Sequence, residues 1–147
     1  MIGIIGAMDE EVEQIVAVMD IKKEETKACM TFKAGIFAGK DVVIVRSGIG
    51  KVNAAVCTQI LVDDFGVDYV INTGIAGSLR AEIDIADIVI SSDVLHHDMD
   101  ATGFGYPLGQ IPRMDTLSFK ADERLIELAK ESCAKAVASV GVHVGRV

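Results

Sequence analysis

Three apolar runs, each ending in a glycine-bearing loop, constrain this chain most: "IGIIG" at residues 2–6, "VVIVRSGIG" at 42–50 and "VDYVINTGIAG" at 67–77. A strand with one solvated face alternates polar and apolar residues; these do not, so both of their faces must be covered. Helical patterns follow the first two. Val12, Ile15, Val16 and Met19 recur at i, i+3, i+4 and i+7, with an end expected near Asp20. "KVNAAVCTQILVDDF" follows the second run, with Val52, Val56 and Ile60 expected on its inner side and Gly66 as its stop. Strands alternating with helices predict the α/β class, with a mostly parallel sheet covered on both sides. In such sheets ligands bind outside the carboxyl ends of the strands, so the loops at Gly6, Gly48–Gly50 and Gly74–Gly77 mark one rim as the site.

The polar stretch Lys22 to Lys27 reads as a connector leading into a hairpin. The hairpin turns at Ala38-Gly39-Lys40-Asp41, and its second strand, Val42 to Arg46, is expected to be buried. "DIADIVISSDVLHHDMD" reads as a long alternating strand, followed by the loop "GFGYPLGQIP". A third helix is predicted over roughly Asp122 to Ala138, with Leu125, Leu128 and Ala129 inward. A last strand, "SVGVHVGRV", places Val140, Val142 and Val144 on one face. No linker or repeat breaks the pattern, and 147 residues, 50% of them hydrophobic, suffice for one domain, 1–147.

The formal charge of −8, with 14 Lys and Arg scattered along the chain, argues against nucleic acid or an anionic membrane surface as partner. The chain starts directly on a strand and no apolar run approaches the length of a bilayer span, so a cytoplasmic location is expected. Cys29, Cys57 and Cys133 are odd in number and far apart, which fits reduced thiols better than disulfides or a metal knuckle.

Asp9, Glu10 and Glu11 open the first helix on the ligand rim, where a strand, a glycine turn and a helix N-terminus would otherwise suit a phosphate. Acids there also complement the helix dipole with no further role. "SGIGKVNAA" is neither the dinucleotide fingerprint nor a Walker loop; its glycines serve a tight turn, or bring backbone N–H groups and Ser47 close to a small ligand. "NTGIAGSL" has the same two readings, a pocket floor built on the amides of Ile75, Ala76 and Gly77 or a plain turn. In "HHDMD", His96, Asp98 and Asp100 would share one strand face, and we read them as a polar segment at a pocket or subunit interface rather than as metal ligands. No nucleophilic triad is discernible, and no metal or cofactor is expected.

Taken together, "IGIIGAMDEEV", "SGIGKVNAA", "NTGIAGSL" and "HHDMDATGFGYPLGQIP" resemble the methylthioadenosine/adenosylhomocysteine nucleosidases of the nucleoside phosphorylase superfamily. The resemblance implies a phosphorylase/hydrolase-like α/β fold with a central, mixed, partly closed sheet flanked by helices. It implies hydrolysis of the N-glycosidic bond of 5′-methylthioadenosine and S-adenosylhomocysteine, with adenine released. Glu11 matches the glutamate that holds and polarises the attacking water. The acids of "MDEEV", in surroundings free of positive charge, would repel the phosphate that a phosphorylase admits. By the same resemblance Met8 and Ile49 wall the ribose and thioether pocket, Ile75 to Gly77 lie beside base and water, and Phe104 and Pro112 line the alkylthio pocket of a neighbouring subunit. A homodimer acting on an adenine nucleoside is thus implied.

The family continues past the strand that ends at Val147, and the chain covers about its first two-thirds. The segment gripping the ribose hydroxyls and the acid that protonates the departing purine have no counterpart here. Two alternatives follow: a non-catalytic nucleoside-binding or dimerisation module, and another hydrolase or phosphorylase of the superfamily.

Overall fold

Strand β1 (Ile2–Gly6), helix α1 (Asp9–Val18), β2 (Asp20–Lys27), β3 (Met30–Phe37), β4 (Lys40–Arg46), α2 (Lys51–Phe65) and β5 (Tyr69–Asn72) follow one another in the first half of the chain. Strands β6 (Ile88–Val94) and β7 (Phe119–Lys120), helix α3 (Glu123–Ala136) and β8 (Val142–Arg146) follow in the second, with a 3-10 turn at Thr102–Phe104. The computed structural model describes residues 1–137 and 139–147. These form two compact units, Met1–Gly77 and Ser78–Val147.

The first unit is a five-stranded sheet in the order β2-β3-β4-β1-β5. The three apolar runs are neighbours: β1 pairs in parallel with β4 on one side and β5 on the other. β1 and β4 are buried on both faces, as expected, whereas β5, at the sheet edge, is not: Tyr69 and Ile71 are each 40% exposed. Ile4, Val42 and Ile44 pack with Val12 and Met19 of the α1 side, while Ile5, Phe32, Val43 and Val45 pack with Cys57 and Leu61 of α2. Leu61 nests where β1 has no side chain; a Cβ on Gly3 would stand 3.0 Å from its Cδ1.

Within this sheet the expectation of mostly parallel pairing holds for β4-β1-β5 alone. Strands β2, β3 and β4 are antiparallel, so the sheet is mixed, as the family resemblance implied. The stretch Lys22 to Lys27 is not a connector but part of edge strand β2. Its charges pair along the edge, Lys23 with Glu25 at 2.8 Å and Lys27 with Glu25 at 2.9 Å, which suits an edge that must not recruit another strand, and Lys27 also reaches Asp64 of α2 at 2.7 Å. Its hairpin with β3 turns on Ala28 and Cys29, both at positive φ, a geometry normally left to glycine and asparagine and hence invisible in the sequence. The hairpin of β3 and β4 is present, but it turns on Ala38-Gly39 alone: Lys40 and Asp41, expected in the turn, already pair with β3 as part of β4.

Helix α1 stops at Val18, so Asp20 already belongs to β2. Helix α2 ends on Gly66 in the left-handed region, as predicted, but its inner face differs. Cys57 and Leu61 are buried, whereas Val52 is 77% exposed and Val56 is also exposed. Apolar residues occur on several sides of this helix, and only the sheet selects which side is covered. Phe65 stacks on Phe32 with ring centroids 5.2 Å apart.

In the second unit β6 is central, antiparallel to β7 and parallel to β8. Two aspartates at opposite ends of β6 tie β8 to it. Asp87 accepts from the Gly141 N–H at 2.9 Å and lies 3.0 Å from His143 Nε2, and Asp93 accepts from Arg146 Nε and Nη2 at 2.9 and 2.6 Å. Strand β6 ends at Val94, so His96, Asp98 and Asp100 lie in a turn and share no strand face; Asp100 instead accepts from the Thr102 N–H and hydroxyl. Helix α3 is capped by Asp122, which accepts from the Leu125 N–H at 3.0 Å. Leu128, expected inward, is exposed, and the expected helix end at Ala138 lies outside the described residues. Val140 precedes β8; Val142 and Val144 share its exposed face.

Candidate active site

The parallel trio β4-β1-β5 places its carboxyl ends side by side, so the loops after Gly6, Arg46 and Asn72 meet along one rim of the first unit, as the sequence pattern predicted. Backbone bonds extend the pairing into the loops: the Ser47 N–H donates to Gly6 O at 2.8 Å and the Thr73 N–H to Ile5 O at 2.9 Å. A cleft of about 440 Å³ opens there, lined by Met8, Glu10, Glu11, Thr73, Gly74 and Ile75. That volume suits a small ligand of nucleoside size.

Glu11 is the centre of this rim. It occupies the third helical position of α1 and folds back on the turn that precedes the helix. Its Oε2 accepts from the Met8 N–H at 3.0 Å and the Ala7 N–H at 2.6 Å, the reciprocal half of a capping box. Capping does not account for the third bond: the Ile75 N–H, 64 residues away, donates to Oε1 at 3.1 Å. Burial pushes the carboxyl pKa up, but the N–H donors of Ile75, Met8 and Ala7 outweigh it and hold it below the ordinary glutamate value. At neutral pH the group is an ionised carboxylate facing a cleft.

The three acids of the first turn thus have separate fates. Asp9 pairs with Arg46 Nε at 3.2 Å at the end of β4. The surroundings of the acids are therefore not free of positive charge; Arg46 came from a distant strand end, and nothing in "MDEEV" signals it. Glu10 is exposed on the cleft.

Of the other residues singled out from the sequence, Met8 and Ile75 stand with Glu11 on the cleft, Ile75 being 84% exposed. Ala76 and Gly77 continue the same exposed loop. Ser47 is buried, and its hydroxyl bonds to Gly48 O at 2.9 Å and Gly6 O at 3.3 Å, bracing the rim. Ile49 is exposed on the neighbouring loop, where Gly48 and Gly50 have φ of +82° and +105°, so the tight-turn reading of these glycines is part of the truth. Phe104, 86% exposed, and Pro112 belong to the second unit. Thr73 and Gly74 also line the cleft; Gly74 had been marked as part of the glycine-bearing rim, whereas the only signal for Thr73 was its place at the end of an apolar strand.

Comparison with known proteins shows what the chain is similar to. The model of the phosphorylase superfamily matches residues 1–147. A 5′-methylthioadenosine/S-adenosylhomocysteine nucleosidase from Marinomonas sp. (strain MWYL1) is 51% identical over 99% of this chain and 62% of its own length. One from Geobacillus sp. (strain WCH70) is 44% identical over the same shares. The crystal structure of the Neisseria meningitidis nucleosidase in complex with methylthio-immucillin-A superposes with a TM-score of 0.93 at 40% identity, covering 99% of this chain and 62% of that one. That of the Colwellia psychrerythraea 34H enzyme in complex with adenine does so with a TM-score of 0.91 at 43% identity, covering 99% and 60%. The chain thus spans about three-fifths of the length of the relatives it matches.

Proposed function

The chain belongs to the phosphorylase superfamily, and from that premise we propose that it carries the water-activating side of a site that hydrolyses the N-glycosidic bond of 5′-methylthioadenosine and S-adenosylhomocysteine, releasing adenine. The observation that carries this reading is the Glu11 carboxylate, held by three backbone N–H groups beside a cleft of nucleoside size. Loss of adenine leaves positive charge on the ribosyl ring, and an ionised carboxylate nearby stabilises that charge. The same N–H bonds that keep Glu11 charged also weaken it as a base. Its proton is therefore taken late, from a water already bonding to the cationic carbon and acidified by it.

In this reading Met8 and Ile49 form pocket wall, Ile75 to Gly77 lie beside base and water, and Ser47 braces the loops that hold them. Phe104 and Pro112 serve the site of a partner subunit in a cytoplasmic homodimer, and residues 1–147 act as parts of one domain. The relatives crystallised with adenine and with methylthio-immucillin-A support an adenine nucleoside as ligand. No helix among the described residues is long and apolar enough to cross a membrane.

A second reading is a nucleoside-binding module without turnover. Among the described residues lining the cleft, the one acid beside Glu11 is its neighbour on the same helical turn, Glu10.

The deciding experiment is adenine release from methylthioadenosine, with and without phosphate, beside Glu11→Gln. Phosphate-independent release, lowered by about 10²- to 10⁴-fold in the variant, is the expected outcome. Dependence on phosphate would move the chain to the phosphorylase branch. Binding without release, seen by calorimetry, would favour the module.

A further inference from the structure

The two oxygens of Glu11 are not equivalent. Oε2 accepts two N–H bonds, from Ala7 and Met8, while Oε1 accepts one, from Ile75. A carboxylate oxygen has about two acceptor positions. Among the described residues, then, the acceptor position left for a water or a ligand hydroxyl is on Oε1, the oxygen that the loop after β5 orients.

What allows that loop to reach Oε1 is the residue before Ile75. A Cβ built on Gly74 would lie 2.9 Å from Glu11 Cδ and 3.3 Å from Oε2, and nearer still to Oε1. Contacts under 3.0 Å require something to move, and here the obstacle is a carboxyl group held by three hydrogen bonds. Gly74 is not among the residues with positive φ, so alanine would meet no backbone penalty of its own at this position. Gly77, in the same loop, has nothing within 4 Å of such a Cβ.

We propose that Gly74 is a positioning residue: having no side chain, it lets the loop after β5 close on Glu11, so that the Ile75 N–H fixes Oε1 and aims its remaining acceptor position at the cleft. The proposal deepens the hydrolytic reading and rests on it for its catalytic meaning. The geometry itself stands without it. A methyl group at 74 separates the Ile75 amide from the carboxylate, and the water-holding oxygen loses its orientation. Misplacement of a reacting group by about 1 Å costs on the order of 10²-fold in rate.

The test follows the Glu11 carboxyl by carbon NMR, and the Ile75 amide by nitrogen NMR, through an acid titration of the parent chain, Gly74→Ala and Gly77→Ala. In the parent and Gly77→Ala, the Ile75 amide is expected to report the titration of Glu11. In Gly74→Ala that response is expected to disappear and the carboxyl to titrate at higher pH. Titration and amide response unchanged in Gly74→Ala would overturn the proposal. Should Gly74→Ala not fold, Glu11→Ala/Gly74→Ala decides: with the carboxylate removed the methyl has room, so a double variant as stable as Glu11→Ala supports the proposal, and one that also fails overturns it. In the adenine-release assay Gly74→Ala should lower kcat about 10²-fold with KM little changed, and a loss confined to KM would count against it. A parent chain that releases no adenine removes the hydrolytic reading and leaves the titration to judge the positioning.

Discussion

At the scale of the residue, distance along the chain separates the capping bonds of one carboxyl from its long-range bond. The bonds from Glu11 to Ala7 and Met8 span three or four residues and are what any helix start can form. The bond to Ile75 crosses 64 residues and ties α1 to the loop after β5. The cysteines make the same contrast in burial. Cys57 lies fully buried against the sheet, and burial pushes its thiol up to about 11. Cys29 is exposed at a hairpin turn. Since the thiolate is the reactive form, alkylation of the native chain at pH 8 should modify Cys29 and spare Cys57, which should react only after denaturant is added. Peptide mass mapping reads the result, and equal labelling of both in the native chain would contradict this account of α2.

At the scale of the element, the faces of α2 were ambiguous and its boundaries were not. Gly66 ends it because a left-handed residue there satisfies the last carbonyls, bonding back to Leu61 and Val62. Which side is covered follows from the gap over Gly3 that receives Leu61. Removing that side chain should cost about 2–5 kcal/mol, since it leaves a cavity between helix and sheet. Val52→Ala, at an exposed position, should change stability by no more than about 0.5 kcal/mol. Denaturant unfolding of both variants distinguishes this packing from the face expected from periodicity, which reverses the order. Strand β2 carries the complementary lesson: with charged residues facing out and its turn on Ala28-Cys29, its pairing with β3 has no local sequence signal.

At the scale of the whole molecule, acid should be the condition that the chain tolerates least. Glu11 is held below its ordinary value by backbone N–H donors against the opposing effect of burial, Asp87 by His143 and backbone donors, and Asp93 by Arg146 with Ser118 and Ser92. Carboxyls with lowered folded-state values stabilise fully above their ordinary values, 4.5 for Glu11 and 3.8 for the aspartates, and lose that contribution as pH falls through the folded values. The net charge of −8 acts the other way, since protonation relieves repulsion, but that diffuse term is screened beyond about 8 Å at physiological salt whereas these bonds are direct. The melting temperature should accordingly fall below about pH 4.5, and Asp93→Asn should flatten the lower part of that fall; a melting temperature that rises on acidification would refute the assignment. Unbroken apolar runs and glycine loops were enough to determine the α/β class and the rim that bears the cleft, because apolar strand patterns and strand-end loops are written in local residue order; among the three acids that open α1, the family resemblance and not the pattern singled out Glu11. Tertiary structure alone decided the antiparallel pairing of β2 with β3, the covered face of α2, the pairing of Asp9 with Arg46 and the closing of Gly74 on Glu11. Each of these depends on which distant segments become neighbours, and no periodicity within a segment encodes its neighbour.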